Sequence, residues 1–548
     1  MKFDNFRSSP AAFVLACALA FFFAALTPQP SAFGAEAKPD KPDAEANPRI
    51  AEAEQRLEAW RIAEADKISA ALLKESPRSP DALALAAEVA FYQGRYDEAA
   101  RLAEQALAGD SANERRQALR IRTQRSRDIV GKMKRYESEH FLLYLDEAKD
   151  GLLAPYALDT LEKSYRILGQ TLGYMPAEKV RVEIAPDSLS FNGISTLSRR
   201  DIEETGAVGI CKFNKVMIIS PRVLLQGYRW LDSLSHEYAH YVIVGASDNK
   251  TPIWLHEGLA RYYETLWRRP DKAKAAADYL SPSNQTLLAQ ALDKNSFVGF
   301  KKMEPSLIYL DTPEQVQLAY AEAASAVDFL VSRKGEGTPR ELLAVVKTRP
   351  TPEAIEKVLA EPYAAFEKDW KDFLRAKHLT PVEGSRVRRL KVVEGQKEQE
   401  DVVELKEIQS AVARNRTHLA DELQQRGRIV GATEEYRRAL QASPGSPIIL
   451  GKLARVLIRQ SRYQEALPHL QKALELDPDS VSAYVQLGRL HHANKEFAAA
   501  KADLEEALQI NPFNPEIYAM LADAYAALGE QEQAKRAKAN LERLARGR

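Results

Sequence analysis

Cysteine is nearly missing from this 548-residue sequence, which has only Cys17 and Cys211. Two thiols cannot give a chain of this size a disulfide framework, so its stability must come from packing. An excess of charge is missing too: Lys+Arg and Asp+Glu stand at 77 each. That balance removes the electrostatic footprint of nucleic-acid binding or of attachment to an anionic membrane surface. No Walker-type or dinucleotide-type glycine loop occurs, and no G-x-S-x-G elbow, so nucleotide chemistry and serine hydrolysis lose support. The apolar run Ala11 to Leu26 spans 16 residues, short of the roughly 20 that a spanning helix needs. With 45% hydrophobic and 28% charged residues, 25 Gly and 28 Pro, what remains is the composition of a folded soluble protein in which disorder is at most local.

That apolar run follows Lys2 and Arg7 and gives way to Pro and small residues, the layout of an export signal with cleavage after Gly34 or after Ala37. Cys17 then belongs to the signal core, and the chain is expected outside the cytoplasm, periplasmic or extracellular. Membrane attachment arises only if the signal is retained as an anchor. At roughly 150 residues per domain the rest asks for three or four units. The C-terminal part repeats with a period of 34: Ala432, Ala466, Ala500 and Ala534 form one ladder, Ala439, Ala473 and Ala507 another, Pro444, Pro478 and Pro512 a third. One helical hairpin per period explains the ladders, with small residues where helices approach closely and Pro ending the second helix. These residues resemble the tetratricopeptide repeat, and four units fit. Ala65, Ala99 and Pro77 carry the same register near the N-terminus, where two repeats, or one and a capping helix, are expected.

The region between differs in texture. "HFLLYL", "KVRVEIAP" and "GAVGICKFNKVMIIS" are rich in Val, Ile and aromatics and predict a small sheet, followed by helices. Next comes His236-Glu237-Tyr238-Ala239-His240 on an amphipathic run, where a four-residue spacing puts both imidazoles on one helical face. A tetrahedral zinc site needs a third protein ligand and an open place for water. After a gap of 16 residues, broken by Gly245, Asp248, Asn249 and Pro252, Glu257 in "WLHEGLA" offers that ligand. His256 is the rival, but neighbours on a helix point about 100° apart, so only one of the two can face the ion.

The HEYAH and WLHEGLA segments resemble the gluzincin zinc metallopeptidases, and among them the bacterial peptidase MA-like domains. The resemblance implies an α+β zincin-like fold, Zn2+ held by His236, His240 and Glu257, and Glu237 as the general base that takes a proton from the attacking water. It also implies that the helix of "YAEAASAVDFLV" carries the tyrosine that donates to the oxyanion, with Tyr320 the candidate. The Gly206 to Ser220 run corresponds to the strand along which extended substrate lies, Gly206 and Gly209 suiting close backbone approach. Where some gluzincins place an Asp to orient a ligand histidine, this sequence has Arg261; Glu264 and Asp232 are both open for that role. Cys211 reads as a small buried side chain, and no second metal site is expected.

The expected organisation is therefore a signal peptide (1–35), a flexible leader (36–48), N-terminal repeat-like helices (49–125), an α+β metallopeptidase domain (136–379), a charged linker (380–412) and a four-repeat array (413–546). Its expected partners are a protein or peptide substrate, with further proteins docking in the repeat grooves, and no nucleic acid. The competing expectation is a non-catalytic envelope scaffold in which the repeats do the work and the zinc domain is structural or degenerate.

Overall fold

The computed structural model describes residues 47–546 apart from 110, 272–277, 308–309, 386, 388–389 and 394–399. The expected signal peptide and nearly all of the leader lie outside the described residues. The chain is mostly helical, with one small mixed sheet in its central region and helical hairpins towards both ends.

Five helices open the described chain, Pro48–Glu58, Ile62–Glu75, Pro80–Tyr92, Tyr96–Ala108 and Glu114–Val130. Asn47, Ser79 and Asn113 start three of them by accepting backbone N–H bonds, and Pro stands at the first turn of two, where its missing donor costs nothing. Ala65 and Ala99, 34 apart, are fully buried where the hairpins close. The C-terminal array has the same construction. Its hairpins pair Ala411–Gln425 with Ile429–Ala442, Pro447–Arg459 with Tyr463–Leu476, Val481–Ala493 with Phe497–Leu508, and Pro515–Ala527 with Gln531–Arg546. Both alanine ladders are buried throughout, because a larger side chain there would force the paired helices apart.

The sheet has five strands, β1 (Lys134–Glu137), β2 (Phe141–Leu145), β3 (Val180–Ala185), β4 (Gly209–Lys212) and β5 (Lys215–Ile219), in the order β1-β2-β3-β5-β4. Pairings β2–β3 and β3–β5 are parallel; the outer strands β1 and β4 are antiparallel to their neighbours. After Lys215, which pairs with Glu183, β5 reads as an apolar run because both of its faces are covered, and all five of its residues are buried. The run expected as one strand is instead a hairpin. Phe213 and Asn214 both take left-handed backbone angles, φ +57° and +58°, and fold β4 back as the sheet edge.

Two long-range contacts fix the surroundings of the central helix Trp230–Ser247. At its start, the backbone N–H groups of Tyr228 and Trp230 donate to Ile510 and Gln509 of the repeat array, and the Trp230 indole donates to Leu508. The array thus satisfies donors that a helix N-terminus leaves unpaired. Arg229 adds ion pairs to Asp479 and, at 2.8 Å, to Glu506. At the other end, Arg61 reaches Asp248 at 2.6 Å, and the Trp60 ring packs on Tyr241. The charged linker is tied down as well: Val392 is buried and bridges Leu224, and Glu400–Glu407 is helical.

Candidate metal centre

Trp230–Ser247 carries His236, Glu237 and His240, and Ile253–Tyr263 packs across it carrying Glu257. Asp248 and Asn249, both at positive φ, turn the chain between them. The second helix also lies against Pro313–Lys334. A Cβ on Gly258 would come within 2.5 Å of the Ala323 carbonyl, so the glycine after Glu257 is what permits the approach.

The three ligand-type atoms converge. His236 Nε2 and His240 Nε2 lie 3.1 Å apart, and Glu257 Oε2 is 3.6 Å from the first and 3.4 Å from the second. Tetrahedral ligands at zinc distances of about 2.0–2.1 Å stand roughly 3.3 Å from one another, so these separations fit one ion without rearrangement. Glu257 Oε2 is moreover buried with no hydrogen-bond partner, a costly state that a cation relieves. Burial raises the Glu257 carboxyl, but His240 and His236 outweigh it and hold the group well below the usual carboxylate range. His236, His240 and Glu257 are thus a buried group able to bind a metal ion.

Of the two carboxylates left open for orienting a ligand histidine, Glu264 is the one in place. Its Oε2 lies 3.1 Å from His236 Nδ1, which leaves Nε2 free to face an ion, and its Oε1 accepts from Arg261 at 2.6 Å. Asp232 is instead taken up by Trp267 Nε1 and the Arg268 guanidinium. His256 lies outside the ligand group: its buried ring stacks on His240 with centroids 4.5 Å apart, and desolvation keeps it neutral.

Glu237 faces β4. Burial raises its carboxyl, His240 and His236 pull it down, and the Cys211 backbone N–H is directed at it. A Cβ on Gly209 would fall 2.7 Å from the Glu237 carboxylate, so this glycine makes room for the glutamate itself. Tyr320 comes from Pro313–Lys334; burial pushes its phenol well up, and the charges of Glu257 and Glu237 push it further. Cys211 is half-buried, and burial pushes its thiol far up, away from the thiolate form.

Among the described residues one other group of ligand-type side chains occurs, Glu139, His140 and Glu162. Glu162 already accepts from Ser138 and from both the backbone and ring of His140, and Glu139 is exposed, so these contacts account for it as a surface hydrogen-bond cluster.

Comparison with known families agrees with this geometry: a model of the peptidase MA superfamily matches residues 193–376, which include every residue of the metal group. Residues 193–376 are a peptidase MA superfamily domain. Tetratricopeptide repeat models match 451–515 and 491–541, so repeats follow the peptidase MA domain. No curated protein matches the chain. Among solved structures, the chain is similar to MamA MSR-1 C2, at 22% identity over 26% of this chain and 85% of that one, TM-score 0.23. It is similar also to the P58(IPK) TPR domain, at 13% identity over 88% of this chain and 98% of that one, TM-score 0.21.

Proposed function

We propose that the chain is an exported zinc metallopeptidase that hydrolyses peptide bonds, with a zincin-like arrangement of its central domain. The observation that carries the reading is the convergence of His236, His240 and Glu257 beside an unliganded acid, Glu237, beneath the edge strand β4. A zinc held by the three ligands supplies Lewis acidity that lowers the pKa of water and polarises the scissile carbonyl. Glu237 accepts a proton from the attacking water and delivers it to the leaving nitrogen as the C–N bond breaks, giving a carboxylate and an amine. Tyr320 donates its phenolic hydrogen to the carbonyl oxygen as charge builds there, in keeping with a phenol that burial keeps protonated. Glu264 holds His236 in the tautomer the ion requires. Among the described residues β4 is an outer strand of the sheet, and its edge offers backbone groups to an extended peptide, which fits a substrate recognised mainly by its main chain.

The repeats on either side present helical-hairpin surfaces suited to binding proteins, and we assign them recruitment of substrate or partner. Export is supported by the sequence before residue 35 alone; among the described residues no helix is long and apolar enough to cross a membrane. The reading is tested by comparing the parent with Glu237→Gln on a peptide library. Both should bind one metal ion, and the variant should cut about 10²–10⁴-fold more slowly. Equal rates in the two would remove Glu237 from the mechanism and the reading with it.

A further inference from the structure

We infer that the substrate groove is closed at one end, so that the site cuts close to a chain terminus and not in the middle of a chain. The inference rests on the peptidase reading above and on the path of β4. Gly209 abuts Glu237, the Cys211 N–H is directed at Glu237, and Asn214 accepts from the Tyr241 hydroxyl at 2.8 Å. Strand and metal-bearing helix therefore run side by side in the same direction, away from the reacting centre. Beyond Gly209 only Ile210, Cys211 and Lys212 remain, roughly 10 Å of edge at about 3.3 Å per residue.

There the N-terminal helices close around the tip of the β4–β5 hairpin. Phe213 is buried against Phe91, at 5.2 Å between ring centroids, and Tyr92, at 5.7 Å, with the Arg122 guanidinium over its ring. Trp60 packs on Tyr241 at 5.0 Å. Phe213 and Trp60 both hold left-handed backbone angles, +57° and +54°, that bulky side chains rarely adopt. Phe213 takes its angle in the hairpin turn and Trp60 in the turn that ends Pro48–Glu58, so both bulky rings are set at fixed places around the hairpin tip. The opposite end differs: Gly206, where the chain enters β4, is at φ +76°, and a Cβ there would meet nothing within 4 Å. A peptide lying along β4 thus has about three residues on the side of the hairpin tip, and on the other side it leaves past Gly206, where a Cβ meets nothing within 4 Å among the described residues. The substrate class is an extended peptide with a free end, from which a short fragment is released.

The test uses the full chain with its metal and one peptide sequence in five forms: linear and free, head-to-tail cyclic, and fused to a folded domain at the N-terminus, at the C-terminus, or at both. The free peptide and one singly fused form should be cut at similar rates. The cyclic and doubly fused forms should be cut at least 100-fold more slowly. Which singly fused form survives identifies the terminus that enters the closed end. Cutting of the cyclic or doubly fused peptide within tenfold of the free one overturns the inference while leaving the peptidase reading intact; cutting of no form at all removes both. Trp60→Gly, which relieves the left-handed strain and removes the wall, should raise cutting of the doubly fused peptide at least tenfold, and an unchanged rate in the folded variant counts against the closure.

Discussion

The histidines and glutamates of the metal group are unequal in what they would cost to lose. Glu257 belongs to the group that could hold the ion, whereas Glu264 touches that group only through His236 Nδ1. Replacing Glu264 by Ala is therefore expected to weaken zinc binding by about 10–100-fold without abolishing it, as measured by competition with a chromogenic chelator. Gly209 makes a sharper case. Its replacement by Ala places a methyl 2.7 Å from the Glu237 carboxylate while touching no ligand. The expected outcome is full metal content with cleavage reduced at least tenfold, read by elemental analysis beside a rate assay. Most of this site was legible in the sequence, because ligand spacing on a helix is a local property: His236, His240 and Glu257 follow from turn geometry and one short gap. The role of Glu264 was not, since choosing between it and Asp232 depends on where Arg268 and Trp267 point, which is decided by packing between helices. Gly209 was legible as a glycine suited to close backbone approach, but not as the one that makes room for the Glu237 side chain.

The elements show the same division between local and long-range causes. Alanine and proline ladders with a period of 34 announce the hairpins, because each repeat solves the same packing problem. β1 escapes notice, since Lys134–Glu137 is polar and mostly exposed at the sheet edge. The hairpin of β4 and β5 escapes it too, because Phe213 is an unlikely residue for a left-handed turn and is kept there by Phe91 and Tyr92 from another part of the chain. Close approach of Ile253–Tyr263 to Pro313–Lys334 depends on Gly258. Gly258→Ala puts a methyl against the Ala323 carbonyl and should destabilise the fold by roughly 1–3 kcal/mol, seen as a lowered Tm. On the latter helix, Glu322 is fully buried and accepts the N–H groups of Val298 and Gly299. Burial pushes its carboxyl up to about 7, above its ordinary 4.5, against those two bonds. The folded chain therefore holds a proton there that the unfolded chain releases, and this group's contribution to stability declines as pH rises from about 4.5 through 7. Glu322→Gln, whose amide nitrogen cannot accept from the second N–H group, should lower the Tm at pH 4.5, and the deficit should shrink towards pH 8.

At the scale of the molecule, the repeats are more than appendages. The array supplies the acceptors for the first donors of the helix that carries His236 and His240, and Arg229 is clamped between Asp479 and Glu506. Gly227, at φ +68°, lies so close that a Cβ would meet the Ile510 carbonyl at 2.2 Å. None of this could be read from the sequence, because Arg229 and Asp479 are 250 residues apart and their pairing obeys no period. One consequence is that removal of the array after residue 379 should lower the Tm of the central domain and loosen its metal group, even though every ligand remains. Differential scanning calorimetry and metal affinity of the shortened chain check this; an unchanged Tm and affinity would mean that the array only rests on the domain.

The central claim is that one ion held by His236, His240 and Glu257 drives peptide hydrolysis, and the most direct measurement is a zinc titration of the metal-stripped protein with cleavage as the readout. Activity should be lost on stripping and return linearly to a break at one equivalent of zinc in the parent, with no recovery in Glu257→Ala. Undiminished cleavage after stripping, or equal recovery in Glu257→Ala, would contradict the account.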